Sequence, residues 1–391
     1  MMWQGSRLAL PLSKHGLLPW SPSLGPRAAA LASDLADADL PALAVALEAE
    51  LGHRADRFAA GIEAYRSHPY RRDLTEKPVL WAEGTTRLLD YGAAGDRPVL
   101  VVPSLINRAD VLDLMPGRSM LRALAELGLR PLLVDWGEPG EAESRFDLTA
   151  YIAGRLEMAL DAALTEVGGP VAVMGYCMGG LLAVALGLRR ARDIDRLALL
   201  ATPWDFRAGE AGSYADLLAA MAGPIAAMCA PLGAMPADIL QGLFALADPA
   251  LAIRKYSRFA EIDPASPEAI RFVATEDWLN DGVSLALPVA IECLAGWYGE
   301  NRPEAGIWAV AGRTVEPARL AIPCLVVEPA RDRLVPPASS AALARRLGQV
   351  EILRPDLGHI GIIIGGTAPE EVWTPVARFL LGSQNRNEIP I

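Results

Sequence analysis

Gly175-Tyr176-Cys177-Met178-Gly179-Gly180 follows the apolar run Val171–Met174 and precedes a stretch of helix formers. Strand, sharp turn, helix, with a reactive side chain at the apex between glycines, is the G-x-S-x-G nucleophile elbow with Cys in the Ser position. The turn is strained, so Gly175 and Gly179 are expected to keep neighbouring side chains clear of the nucleophile. The thiol then projects from the C-terminal edge of a sheet at a helix N-terminus. That helix end favours a thiolate, and its first N–H, that of Met178, can donate to an oxyanion. Alone, the motif also fits an inert cysteine buried in a Gly-rich turn.

A cysteine nucleophile needs a base, and the histidines are His15, His53, His68 and His359. His15 lies in an irregular arm, while His53 and His68 belong to an N-terminal helical region. His359 stands just past the last expected strand, in Asp356-Leu357-Gly358-His359. Asp332 follows the strand Cys324–Val327. The order Cys177, Asp332, His359, with the last two after consecutive late strands, matches the arrangement of an α/β-hydrolase triad. Asp356 is a weaker alternative orienter because it is so close in sequence to its histidine. A turn-capping Asp and a surface His are the bland readings. The second oxyanion donor is expected in the loop Pro103–Arg108, with the N–H of Ile106 as candidate.

Cysteine in place of serine narrows the chemistry. A thiolate attacking a thioester makes another thioester, a nearly thermoneutral step. It suits acyl transfer from a CoA-type donor to an alcohol, with His359 taking the proton of the acceptor hydroxyl. Hydrolysis stays open at this point. No metal site, P-loop or dinucleotide loop is read from the sequence, so no cofactor is expected beyond a CoA thioester as substrate.

The elements that must position these residues alternate. Val79–Ala82 and Thr86–Leu89 flank Gly84 as a hairpin. Strands follow at Pro98–Val102, Pro131–Val134, Val171–Met174, Leu197–Leu200, Cys324–Val327 and Val350–Leu353. Between them come helices at Ser119–Leu127, Leu148–Val167 and Met178–Arg190, with a last helix at Glu370–Leu381. This predicts an α/β-hydrolase fold, a mostly parallel sheet flanked by helices. The expected boundaries are an N-terminal arm and helices over 1–78, a core of 79–203 and 306–391, and an inserted, largely helical cap over 204–305.

The chain has 391 residues, 52% hydrophobic and 21% charged, with a formal net charge of -11 and only three lysines. That acidic balance argues against sequence-independent nucleic-acid binding. Four widely spaced cysteines exclude a CxxC motif and fit a reducing, cytoplasmic compartment. The uncharged stretch between Glu166 and Arg189 splits into strand, turn and helix, so no transmembrane segment is expected, and no signal peptide. The apolar excess is expected to leave some exposed surface suited to a lipid-like phase.

The motifs resemble those of polyhydroxyalkanoate synthases. Gly175–Gly180 looks like their modified lipase box, and Ser104–Arg108, Leu112-Asp113-Leu114, Arg118-Ser119 and Leu133–Gly137 are similar to early core segments. Ala201–Phe206 resembles the entry to their cap. Asp277–Asp281, Leu287-Pro288 and Trp297–Asn301 look like their cap motif. The resemblance spans about residues 70–385, and the short N-terminal region is more like the two-subunit type. It implies that Cys177 carries the growing acyl chain, with His359 as base and Asp332 orienting it or assisting the acceptor hydroxyl. It also implies Trp278, Asn280 and Asp281 as cap or substrate residues. A 3-hydroxyacyl-CoA substrate, a polyester chain or granule surface, and a second subunit or homodimer would be the partners. Two positions depart from the family pattern, Arg333 in place of His and Ile360–Gly366 in place of a run toward Asn-Pro-Pro. Smaller dienelactone hydrolases share the Gly-x-Cys-x-Gly-Gly elbow but lack a long cap. A Cys-dependent thioesterase or polyester hydrolase is the competing enzyme reading, and a granule scaffold with a vestigial site the non-enzymatic one.

Overall fold

The computed structural model describes residues 9–93, 96–209 and 212–382. Residues 1–8 of the expected arm and 383–391 at the end of the expected core lie outside them. The chain forms two compact units, one of residues up to Tyr70 with Pro249–Val273, the other of Arg71–Asp248 with Ala274 onward.

The smaller unit is helical. Its N-terminal part forms helices α1 (Gly25–Leu35) and α2 (Leu40–Ser67), where the apolar spacing over Leu31–Tyr65 leads one to expect one or two amphipathic helices. Asp39 caps α2 by accepting from the Ala42 N–H at 3.2 Å, and Pro41 sits in its first turn. Phe259 stacks on Phe272 with ring centroids 4.2 Å apart, beside buried Ala269 and Val273.

The larger unit is built on eight strands: β1 (Val79–Glu83), β2 (Thr86–Asp90), β3 (Arg97–Val102), β4 (Leu129–Asp135), β5 (Val171–Tyr176), β6 (Ile194–Leu200), β7 (Cys324–Val327) and β8 (Val350–Leu353). They lie in the order β1-β2-β4-β3-β5-β6-β7-β8. Strand β2 alone runs against the rest, pairing antiparallel with β1 and β4. All other neighbours are parallel. This is the α/β-hydrolase sheet, as the alternation of elements predicts. Strand β5 is buried along its whole length because helices cover both faces, so its residues are apolar without alternation.

Helices α3 (Met120–Glu126), α4 (Glu157–Val167) and α5 (Met178–Arg189) fill the early crossovers, α10 (Pro337–Arg346) lies between β7 and β8, and α11 (Thr374–Leu381) follows the last strand. The helix expected over Leu148–Val167 is not uniform: a π-helical segment, Tyr151–Leu156, precedes α4. Between β6 and β7 the chain inserts α6 (Gly212–Cys229), α7 (Ala237–Ala247), α8 (Leu251–Phe259) and α9 (Pro267–Asn280). Ala234–Met235 and Leu285–Ala286 form a two-residue antiparallel ladder there, which the apolar pattern does not announce.

Residues 166–189 resolve into the end of α4, then β5, the elbow and α5. Among the described residues one helix is long and apolar enough to cross a membrane, Tyr214–Leu232, and most of it is not buried within the chain. Leu217, Met228 and Leu232 stand out from it at 47%, 58% and 64% exposure.

Candidate active site

The site begins where β5 ends. Cys177 follows Tyr176 with φ 54° and ψ -127°, a conformation a non-glycine residue adopts only where its surroundings impose it. Its N–H donates to the Leu200 carbonyl at 2.8 Å, tying the turn to the end of β6, and α5 starts at Met178. The elbow glycines serve packing more than clearance around the nucleophile. A Cβ on Gly179 would lie 2.1 Å from the Val102 carbonyl oxygen, and one on Gly175 would lie 2.6 Å from Gly180 Cα. Gly180 meets Thr202 in the same way. The glycines therefore let α5 descend onto β3, β5 and the segment after β6.

Asp332 and His359 come from the loops after β7 and β8. The carboxyl of Asp332 is fully buried, and its Oδ1 accepts from the N–H groups of Leu334 and Val335, both at 2.8 Å. Its Oδ2 lies 2.7 Å from Nδ1 of His359. The two loops are laced together: Ala330 N–H donates to Pro355 O and Arg331 N–H to Leu357 O, each at 2.9 Å. Asp356, the alternative orienter, is exposed and pairs with Arg331 at 3.0 Å. Tyr176 supports the histidine from the elbow itself. Its hydroxyl donates to the His359 carbonyl at 3.2 Å, and its ring lies against the imidazole with centroids 5.3 Å apart. Nothing in the motif marked Tyr176, because its position in the elbow pattern is variable.

Burial acts to lower the pKa of His359, but it is outweighed. The charge of Cys177, hydrogen bonding to Asp332 and Cys177, and the charge of Asp332 push the imidazole up to about 10. Cys177 is the one free cysteine among the described residues that is not buried; Cys229, Cys293 and Cys324 are. Burial raises the thiols of Cys293 and Cys324, the latter to about 12.

The other expected residues fall in two groups. Met178, the first residue of α5, carries one of the N–H groups that a helix start leaves without an intrahelical partner. Ile106 lies in the loop after β3, but its N–H donates to Ser104 Oγ at 2.9 Å. Trp278 and Asp281, at the end of α9, meet Arg108: the indole donates to its carbonyl at 2.8 Å, and Asp281 Oδ2 is 2.7 Å from its Nε. Asn280 is exposed at the last position of that helix. Arg333 is 83% exposed and lies 3.7 Å from Asp248. In the later cap motif, Trp297 stacks on Phe206, and Asn301 accepts from the Phe206 N–H at 3.0 Å while donating to Asp205 at 2.8 Å. Among the described residues no group of three or more His, Cys, Asp or Glu is placed to hold a metal ion.

Sheet order and elbow define an α/β-hydrolase-fold protein with a cysteine at the nucleophile position. No protein-family model matches the chain. It is 29% identical over 319 residues to the poly(3-hydroxyalkanoate) polymerase subunit PhaC of Haloferax mediterranei, covering 78% of this chain and 63% of that protein. It is 27% identical over 293 residues to the subunit of the same name from a Synechocystis species, covering 72% of this chain and 77% of that protein. The resemblance carried by the motifs is borne out as similarity to these polymerases over about three quarters of the chain. The chain spans less than two-thirds of the Haloferax relative's length. Among solved structures it is similar to the enol-lactonase of Burkholderia xenovorans, at 19% identity and a TM-score of 0.49, covering 76% of this chain and 96% of that one.

Proposed function

We propose that the chain is an acyltransferase that moves 3-hydroxyacyl groups from CoA thioesters through a Cys177 acyl-enzyme to a hydroxyl acceptor, building a polyhydroxyalkanoate. The observation that carries the chemistry is the convergence of Cys177, His359 and Asp332 from three separate strand ends. The substrate class rests on similarity to proteins named poly(3-hydroxyalkanoate) polymerase subunit.

The reaction balances with these residues alone. The Cys177 sulfur attacks the thioester carbonyl, a new C–S bond forms, and the bond to CoA breaks. His359, holding its proton beside Cys177, gives it to the departing CoA sulfur. The Met178 N–H receives the carbonyl oxygen as it gains charge, and the Ile106 N–H joins it by exchanging the Ser104 hydroxyl for the oxyanion. Once the sulfur is acylated its charge and hydrogen bond no longer raise the imidazole pKa, which shifts the ring toward its neutral form while Asp332 still holds it. The neutral His359, oriented by Asp332, takes the proton of the acceptor hydroxyl as its oxygen attacks the acyl group. The sulfur leaves and the initial pair is restored.

Trp278, Asn280 and Asp281 fall outside this proton path and bear on the cap. The apolar face of α6 suits a polyester chain or granule surface and supports the reading of an enzyme acting at such a surface in the cytoplasm, with a second subunit or a second copy as further partner. The test is incubation with 3-hydroxybutyryl-CoA, recording thiol release and identifying the product, beside Cys177→Ala. CoA release with insoluble polyester, abolished in the variant, is expected. Free 3-hydroxybutyrate as the sole product makes the protein a thioesterase and overturns the polymerase reading.

A further inference from the structure

Trp278 and Asp281 both hold Arg108, 170 residues away in sequence for the tryptophan. Arg108 ends the loop that leaves β3, two positions after Ile106. Asn107, between them, has φ 62°. At the loop's other end the buried indole of Trp136 donates to the Pro103 carbonyl at 3.1 Å. The loop is therefore pinned at Pro103 by a core residue and at Arg108 by the last turn of α9 and the residue after it.

The direction of a backbone N–H is set by the peptide planes on either side. Asparagine tolerates the left-handed region, so its own φ does not lock the turn and neighbouring contacts decide how firmly it is held. Here the surroundings downstream of Asn107 are the bond from Trp278 to the Arg108 carbonyl and the ion pair with Asp281. We infer that Trp278 and Asp281 are positioning residues that aim the Ile106 N–H through Arg108. This rests on the reading of Ile106 as an oxyanion donor in an acyl-transfer site. It gives the cap a direct hand in the rate of acylation, separate from any contact with substrate.

Two rates at the same sulfur test it. Alkylation of Cys177 by iodoacetamide passes through no oxyanion, whereas acylation by p-nitrophenyl butyrate does. Trp278→Phe keeps an aromatic ring and removes the donor, and Asp281→Asn changes an exposed carboxylate just past the helix. In both variants the acylation rate constant is expected to fall about tenfold, a fraction of what loss of an oxyanion donor costs. KM and the alkylation rate are expected to stay within about twofold, since neither depends on the donor. Equal losses in both rates overturn the proposal, because they assign the grip to holding the site together. Unchanged acylation in both variants overturns it as well. A wild-type protein that is alkylated but never acylated by the ester overturns the acyl-transfer reading itself, and the positioning role with it.

Discussion

The two oxygens of Asp332 face different partners: Oδ2 lies 2.7 Å from Nδ1 of His359, while Oδ1 accepts the N–H groups of Leu334 and Val335. With no exposed surface, the carboxylate has no room to rotate between these duties. It holds the ring through a protonated Nδ1, which leaves Nε2 for Cys177.

Asp332→Asn tests that division. The amide has one acceptor oxygen, and two backbone donors demand it, so the amide NH2 is left facing Nδ1. The ring must then carry its proton on Nε2, the wrong atom for a base. The acylation rate is expected to fall by about 10³ to 10⁴, with a melting temperature close to that of the wild type. Stopped-flow acylation beside circular dichroism gives both readings, and a loss below tenfold would remove Asp332 from the orienting role.

Thiol chemistry separates the four cysteines. Cys229, Cys293 and Cys324 are buried, and burial raises the thiols of the last two. Iodoacetamide on the folded protein at neutral pH is expected to modify Cys177 first, by at least about tenfold in rate, as thiolate access dictates. Peptide mass spectrometry at increasing times reads this directly. Equal labelling at Cys293 would mean that the fold around the cap opens freely.

His359 makes stability depend on pH. Its pKa is raised in the folded protein to about 10, from roughly 6.5 when unfolded. A raised pKa contributes stability that is fully present below the unfolded value and lost as pH rises through the folded one. The melting temperature should thus decline from near neutral toward pH 10. Cys177→Ala removes a nearby negative charge and a hydrogen bond that raise the ring's pKa, so its decline should be shallower and the His359 ring-proton titration should move down. An identical His359 titration in both proteins would dissociate the two side chains.

The glycine at position 179 is a packing requirement. A Cβ there would approach the Val102 carbonyl oxygen to 2.1 Å, and backbone on both sides prevents relief. Gly179→Ala is expected to cost at least about 3 kcal/mol in denaturant unfolding, at the upper end for a single substitution. A stable, fully folded variant would mean that α5 can shift along β3.

The elbow was legible because strand, turn and helix each leave a local signature around Cys177. The histidine and aspartate were legible from their places after β8 and β7, since sheet order follows from alternation of elements. Other parts of the site leave no local trace. The partner of Trp278 is a carbonyl 170 residues away, and hydrophobic periodicity carries no information on such pairs. The π-helical segment Tyr151–Leu156 shifts the helical phase by too little to interrupt an apolar pattern. Pro249–Val273 packs in the smaller unit, though nothing in its composition sets it apart from the rest of the insertion. Ser104 could have been read: a serine two residues ahead of a needed N–H is a local competitor for it.

The long insertion between β6 and β7 divides the chemistry in time as well as along the chain. During synthesis the cysteine and its elbow emerge with β5, while the strands that deliver the carboxylate and the imidazole are made more than a hundred residues later. A nascent chain therefore displays a thiol on a part-built sheet before it owns a base. In the proposed mechanism that thiol changes from an oxidation hazard into a catalyst only when β7 docks on β6 and β8 adds the edge. Turnover is thus a readout of the last strands to be added.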